Sequence, residues 1–433
     1  MSNTQEVSGA GRARLGSGMI SLIVGSARSA GKSPTTLGGL VFVGAGMAVN
    51  LTNFAFHAAV SRLLGPAGYG ALGALLNVLV VLSVPFAALE AAVTRMVASR
   101  AAGAETGCRR LSLQACLGGL IGFVAWLGLT PLVEGFLRLH SALPVVLLGL
   151  AIPPMTVGAV WQGALIGEQR FKPAALSQLL GSGVVRLAAG VVLVTAGAGV
   201  SGAVVATVAA SLTTLAVLYP GMRPMLVGRS RGPLTARDAA WTVACLGGVS
   251  TLTSLDSWLG RHYLAPSAAG YFTAAATAGR IALFLPGTVI LVAFPRFSRS
   301  AGRSREAHRA LAGAVVWVTS FASVGAGVLV AIPGVVTGML FGGSFEPSVP
   351  ILRILAPADA CAGVISVLVY FQLARRSKLS VAGWAGCCLI WALASIYHRD
   401  DQQLAWTMLA ANATTLAFLG VATLNSTTPG HGT

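Results

Sequence analysis

Residues 70–94 read GALGALLNVLVVLSVPFAALEAAVT, a run whose single charged side chain, Glu90, stands near its end. A helix rising 1.5 Å per residue needs about 20 mostly apolar residues to cross some 30 Å of hydrocarbon, and this run is long enough to do so. It lacks the strict apolar/polar alternation of a membrane β-strand. Comparable runs recur at about 37–60, 113–133, 143–166, 174–195, 200–219, 239–261, 270–295, 311–333, 349–373, 379–397 and 404–424. Twelve spans are therefore expected, and the fold class is an all-α integral membrane protein.

Composition agrees. Of the 433 residues 55% are hydrophobic and 9% charged, whereas charged residues make up about a quarter of a soluble domain. The net charge of +17 would suit nucleic acid if it formed a stripe interleaved with aromatics, but the basic residues sit in short connections between apolar runs. Topology explains them. The segment before the first span and the connections after even-numbered spans carry 22 of the 29 Lys and Arg, and the opposite side carries Arg62, Arg138, Arg261 and Arg399. By the positive-inside rule both termini are cytoplasmic in a multi-pass protein of a bacterial-type cytoplasmic membrane. The other three, Arg186, Arg280 and Arg353, fall inside spans.

Residues 1–36 read as a basic cytoplasmic tail, 220–238 as a cytoplasmic linker and 425–433 as a second tail. Met19 to Val24 is too short for a signal-peptide core. Gly31-Lys32-Ser33 imitates the end of a phosphate-binding loop, but Ser26 stands where its first glycine belongs and Pro34 follows where the helix should start. The six cysteines have no Cys-x-x-Cys or Cys/His ligand spacing, so neither a metal nor a disulfide framework is assigned. No cofactor is implied.

An internal repeat divides the spans. Arg62-Leu63-Leu64-Gly65-Pro66-Ala67-Gly68-Tyr69 follows the first span, and Arg261-His262-Tyr263-Leu264-Ala265-Pro266-Ser267-Ala268-Ala269-Gly270-Tyr271 follows the seventh. Pro85 then precedes Arg95 by ten residues, as Pro286 precedes Arg296. Two six-helix lobes of one orientation, 37–219 and 239–424, are expected around a central cavity, with the substrate between them near the midplane.

Asn53-Phe54-Ala55-Phe56-His57, Arg62-Leu63-Leu64-Gly65-Pro66, Gly68-Tyr69-Gly70, Gly270-Tyr271, Gly279-Arg280 and Phe294-Pro295-Arg296 together resemble the polysaccharide-biosynthesis flippases. These are the oligosaccharide branch of the multidrug/oligosaccharidyl-lipid/polysaccharide (MOP) exporter superfamily. The resemblance implies alternating access for an undecaprenyl-pyrophosphate-linked oligosaccharide, moved from the inner to the outer leaflet. It carries no catalytic motif. Its implied partners are the lipid-linked oligosaccharide, membrane lipids and other polysaccharide-assembly proteins, with no nucleic acid.

Several side chains are candidates for that task. Arg280 lies about ten residues into its span, roughly 15 Å along the axis, where an arginine costs about 2.5–3.5 kcal/mol to insert. It reads either as a cationic contact for pyrophosphate or as the partner of an acid such as Asp256. Arg186 has no acidic residue in its own span, and reads as a second anion contact or as a donor to carbonyls of a kinked neighbour. Asn50, Asn53 and His57 share one helix face, suited to lining a cavity or to interhelical hydrogen bonds. His57 and Asp256 each stand five residues before a repeat arginine. With Asp359, they are candidates for coupling a proton or cation, against a plain packing role. Arg95 and Arg296 offer weaker contacts to an anionic headgroup. Asn77 reads as a packing residue and Glu90 as a surface partner of Arg95.

Rival functions are a cation-coupled multidrug exporter or a lipid II flippase of the same superfamily. A membrane-embedded polysaccharide enzyme would need a surface loop with clustered acids, histidines or a metal set, and the longest connections are basic. A scaffold would need no buried charge.

Overall fold

The structure, a computed structural model, describes residues 34–98, 108–226, 236–280, 304–375 and 377–427. The described residues are helical, without strands. Eight helical stretches are long and apolar enough to cross a membrane, and two of them, Gly44–Ala98 and Phe171–Leu226, run for 55 and 56 residues. At 1.5 Å per residue each would be about 80 Å long, more than twice the hydrocarbon thickness, so each is a hairpin of two spans.

Glycines make both bends. Gly65, at φ 65° and ψ 178°, occupies a region open essentially to glycine alone and divides helix Pro34–Ala98 into α1 (34–64) and α2 (66–98). Gly197 and Gly199, at φ 90° and 56°, separate α5 (171–198) from α6 (Gly199–Met222). Between the hairpins lie α3 (Arg109–Phe136) and α4 (Leu143–Gly167). The second half contains α7, formed by Ala236–Leu252 and Leu255–Tyr263, and α8, described over Pro266–Gly279. It continues with α9 (Ser304–Ala331), α10 (Ser348–Ala374), α11 (Ala382–Ile396) and α12 (Asp401–Thr427). The chain is a multi-pass membrane protein with about twelve spans.

Its apolar interior falls into parts that follow the repeat. One cluster gathers α7 to α12 around Phe272, Phe341, Ile365 and Phe371. Two others belong to α1–α6, around Phe56, Leu72 and Leu148 and around Val93, Leu165 and Leu218. Two side chains cross over. Tyr69 of the first half is buried in the second-half cluster, while Trp258 of the second packs on the first and donates its indole N–H to the Ala74 carbonyl at 3.2 Å.

The halves meet along α2 and α8, where the repeated Gly-Tyr segments face one another. A Cβ on Gly270 would lie 1.9 Å from the Pro66 carbonyl oxygen, and one on Gly70 would lie 2.8 Å from the Gly270 nitrogen. Small residues permit such backbone approach where lipid gives no hydrophobic drive between helices. Gly270→Ala is expected to cost about 1–3 kcal/mol, since rigid backbone must move. Gly118→Ala, with open space at its Cβ, leaves the thermal midpoint in detergent unchanged or slightly raised.

Candidate functional site

A cavity of about 650 Å³ opens beneath the α2–α8 contact. It follows α2 from Asn77 to Glu90, about 20 Å of helix, and is otherwise walled by α1, α4, α5 and α6, with Thr277 and Arg280 from α8. Among the described residues its lining thus belongs mainly to the first half. The sequence repeat places the site between the halves, and Thr277 and Arg280 are the second half's described share of it.

Arg280 is held from three sides. Its Nη2 donates to both carboxylate oxygens of Asp256, at 2.8 and 2.9 Å, and to the Thr253 carbonyl at 2.8 Å; its Nη1 donates to Asn77 Oδ1 at 2.7 Å. A break in α7 prepares the acceptors. At Thr253 and Ser254 the helix turns tightly, and Asp256 Oδ1 accepts the main-chain N–H of Ser257. The Ser257 N–H is thereby taken from the Thr253 carbonyl, its ordinary helical acceptor, which Arg280 occupies instead. Asp359 of α10 approaches the same step of α8, its Oδ2 lying 2.0 Å from where a Gly279 Cβ would be. That oxygen is buried with no hydrogen-bond partner among the described residues.

Arg186 is held differently. A π-helical segment, Leu179–Val185, precedes it, and such wider turns often occur at functional sites. Gly181 lets this segment lie against α6, since a Cβ there would be 2.1 Å from Thr214 Oγ1. The guanidinium sits 4.6 Å over the Phe56 ring, and its Nη1 donates to Asn53 Oδ1 at 2.9 Å. Its Nε is buried without a hydrogen-bond partner, and no carboxylate pairs with it among the described residues. Among the described residues this leaves a positive charge facing the cavity uncompensated, with a planar donor fork suited to phosphate oxygens.

His57 also lines the cavity, its Nδ1 3.0 Å from the Tyr69 hydroxyl. Tyr69 donates in turn to Thr277 Oγ1 at 3.3 Å, one turn before Arg280. The chain His57–Tyr69–Thr277 thus leads across the halves toward the Arg280–Asp256 pair.

Asn53, His57, Arg186 and Arg280 are brought together, and Asp256 and Asp359 stand behind Arg280. Asn50 is exposed and does not line the cavity; Asn53 and His57 turn inward without it. Arg95 is exposed at the end of α2, away from the cavity lining, and Arg296 lies outside the described residues. Asn77 is a direct partner of Arg280 rather than a packing residue. Glu90 faces the cavity and forms no ion pair with Arg95 among the described residues, so its reading as a surface partner is corrected. Gln162 and Gln178 also belong to the polar lining, and single glutamines in apolar spans carry no pattern by which to choose them.

This architecture has known counterparts. The chain superposes on an inward-facing multidrug resistance MATE family transporter of the MOP superfamily with a TM-score of 0.72 at 14% identity, covering 90% of this chain and 99% of that one. The lipid II flippase MurJ in an inward closed conformation gives 0.69 at 10% identity, covering 89% and 87%. A MOP superfamily transporter from Pyrococcus furiosus gives 0.59 at 17% identity, covering 92% and 97%. At these identities the likeness is one of fold. No curated protein matches the sequence. The family model for polysaccharide biosynthesis proteins matches residues 36–301, more than half of the chain and nearly all of the cavity's described walls, and the protein belongs to that family.

Proposed function

We propose that the protein moves an undecaprenyl-pyrophosphate-linked oligosaccharide from the inner to the outer leaflet by alternating access, with both termini cytoplasmic. The observation that carries this reading is Arg186, a half-buried cation that faces the cavity without a counter-charge among the described residues. Intramembrane arginine is expensive, and an anionic substrate is what would offset the cost in each cycle. Asn53, Gln162, Gln178 and Ser182 offer neutral donors and acceptors for sugar hydroxyls around it. The cavity is too small for a long glycan, so it receives the linkage and first sugars while the prenyl chain stays in lipid.

In this reading Arg280 contributes less to binding, because Asp256 already neutralises it. It supports the crossing of the halves through Asn77, and Arg95 holds headgroups only before entry. Glu90 favours a second reading, export of small cations, since it is the one carboxylate lining the cavity among the described residues.

The test is leaflet exposure of a fluorescent undecaprenyl-pyrophosphate oligosaccharide in vesicles with the purified protein. Protein-dependent movement is expected, with no export of a fluorescent organic cation. Cation export without movement of any lipid-linked sugar would establish the second reading, and movement of lipid II alone would make the protein a lipid II flippase.

A further inference from the structure

Arg62 and Arg261 hold matching places in the repeat, yet neither lines the cavity. Each reaches across to main-chain carbonyls of the opposite half. Arg62, at the end of α1, donates from Nη2 to the Met339 carbonyl at 2.5 Å. Met339 belongs to the short helix Pro333–Phe341 that follows α9. Arg261, at the end of α7, donates from Nε to the Leu137 carbonyl and from Nη2 to the Arg138 carbonyl, each at 3.0 Å. Those carbonyls follow α3, where Arg138 takes φ 47°. In both halves the arginine after the first span grips the segment after the third span of the other.

The acceptors suit a cation. Carbonyls in the last turn of a helix have no partner within it and form the negative end of its dipole. A guanidinium bound to carbonyls rather than to a carboxylate forms no ion pair, so water can replace the acceptors when the halves separate. The surrounding contacts lie at the same end. His262 Nδ1 is 2.8 Å from the Phe136 carbonyl with its ring stacked on Phe136 at 4.7 Å, and Tyr69 sits 5.6 Å from Phe341 and 5.8 Å from Phe345. The two grips differ in strength, because Arg261 is 3% exposed and Arg62 is exposed.

We propose that Arg62 and Arg261 form a reciprocal latch that shuts the cavity on the side away from Arg95, and that both grips release when that side opens. Arg261 is the stronger of the two.

A cysteine at Val80, which lines the cavity, reports the state of the latch in a background carrying Cys116→Ser and Cys388→Ser. A membrane-impermeant maleimide is applied to each face of oriented vesicles, so the result depends neither on the substrate nor on which face is cytoplasmic. The parent protein should label slowly from the latch side. Arg261→Gln should raise that rate about tenfold and Arg62→Gln about threefold, and the double variant by about the product if each grip acts independently. A short bis-maleimide joining Arg62→Cys to Met339→Cys should abolish latch-side labelling even if the glutamine variants fold poorly. Unchanged latch-side labelling in the folded double variant, or labelling that persists through the cross-link, would overturn the proposal.

Discussion

Asp256→Ala will lower the thermal midpoint of the detergent-purified protein by several degrees, while Asp359→Asn will leave it close to the parent value. Both carboxylates are 7% exposed and both lie beside Arg280, yet their bonding differs. Asp256 accepts two hydrogen bonds from Nη2 of Arg280 and one from the Ser257 N–H. Removing it leaves a guanidinium whose remaining hydrogen-bond acceptors among the described residues are Asn77 and the Thr253 carbonyl, and breaking a buried pair from one side costs about 3–5 kcal/mol. Because the Arg280 side chain is 24% exposed toward the cavity, about 2–4 kcal/mol is the better expectation here. Asp359 Oδ2 has no hydrogen-bond partner among the described residues, so an amide in its place gives up little. Equal losses in the two variants would mean that the two acids share the arginine.

Arg186→Gln should act in the opposite way, leaving stability intact and slowing transport. The parent side chain is half-buried without an ion pair among the described residues, its Nε lacks a hydrogen-bond partner there, and glutamine keeps a neutral polar group at the site. Loss of that charge therefore relieves a desolvation cost. Charge-assisted hydrogen bonds to a pyrophosphate are worth about 1.5–3 kcal/mol each, so losing one slows translocation about 10- to 100-fold. Arg186→Lys should fall between, keeping the charge but losing the fork and the stacking on Phe56. Initial rates of leaflet exposure, read beside thermal midpoints, separate the two effects. A variant that loses stability but retains its rate would make Arg186 a structural residue.

Much of the architecture was legible because membrane spans obey length and charge rules that local sequence carries. The gaps expected between spans at 60–70 and 195–200 contain the glycines at which the structure bends, Gly65, Gly197 and Gly199. Arg280 was found from its depth in an apolar run, and Asp256 as its possible partner. Other features depend on partners far along the chain. Asn77 gains its role only because α8 crosses α2, 203 residues away in sequence from Arg280. Helical spacing put Asn50 on one face with Asn53 and His57, but Asn50 is exposed and only the other two line the cavity. Nor does spacing reveal that a π-helical segment before Arg186 aligns it with Asn53 and Phe56.

The most direct measurement compares two lipids bearing the same glycan, one linked through pyrophosphate and one through an uncharged ether to the same prenyl chain. Initial flipping rates in vesicles of the parent protein should favour the pyrophosphate lipid by about tenfold or more, the worth of one charge-assisted contact, and Arg186→Gln should erase most of that preference. Equal rates for the two lipids in the parent protein, or faster movement of the uncharged one, would contradict a cavity built around an anionic linkage.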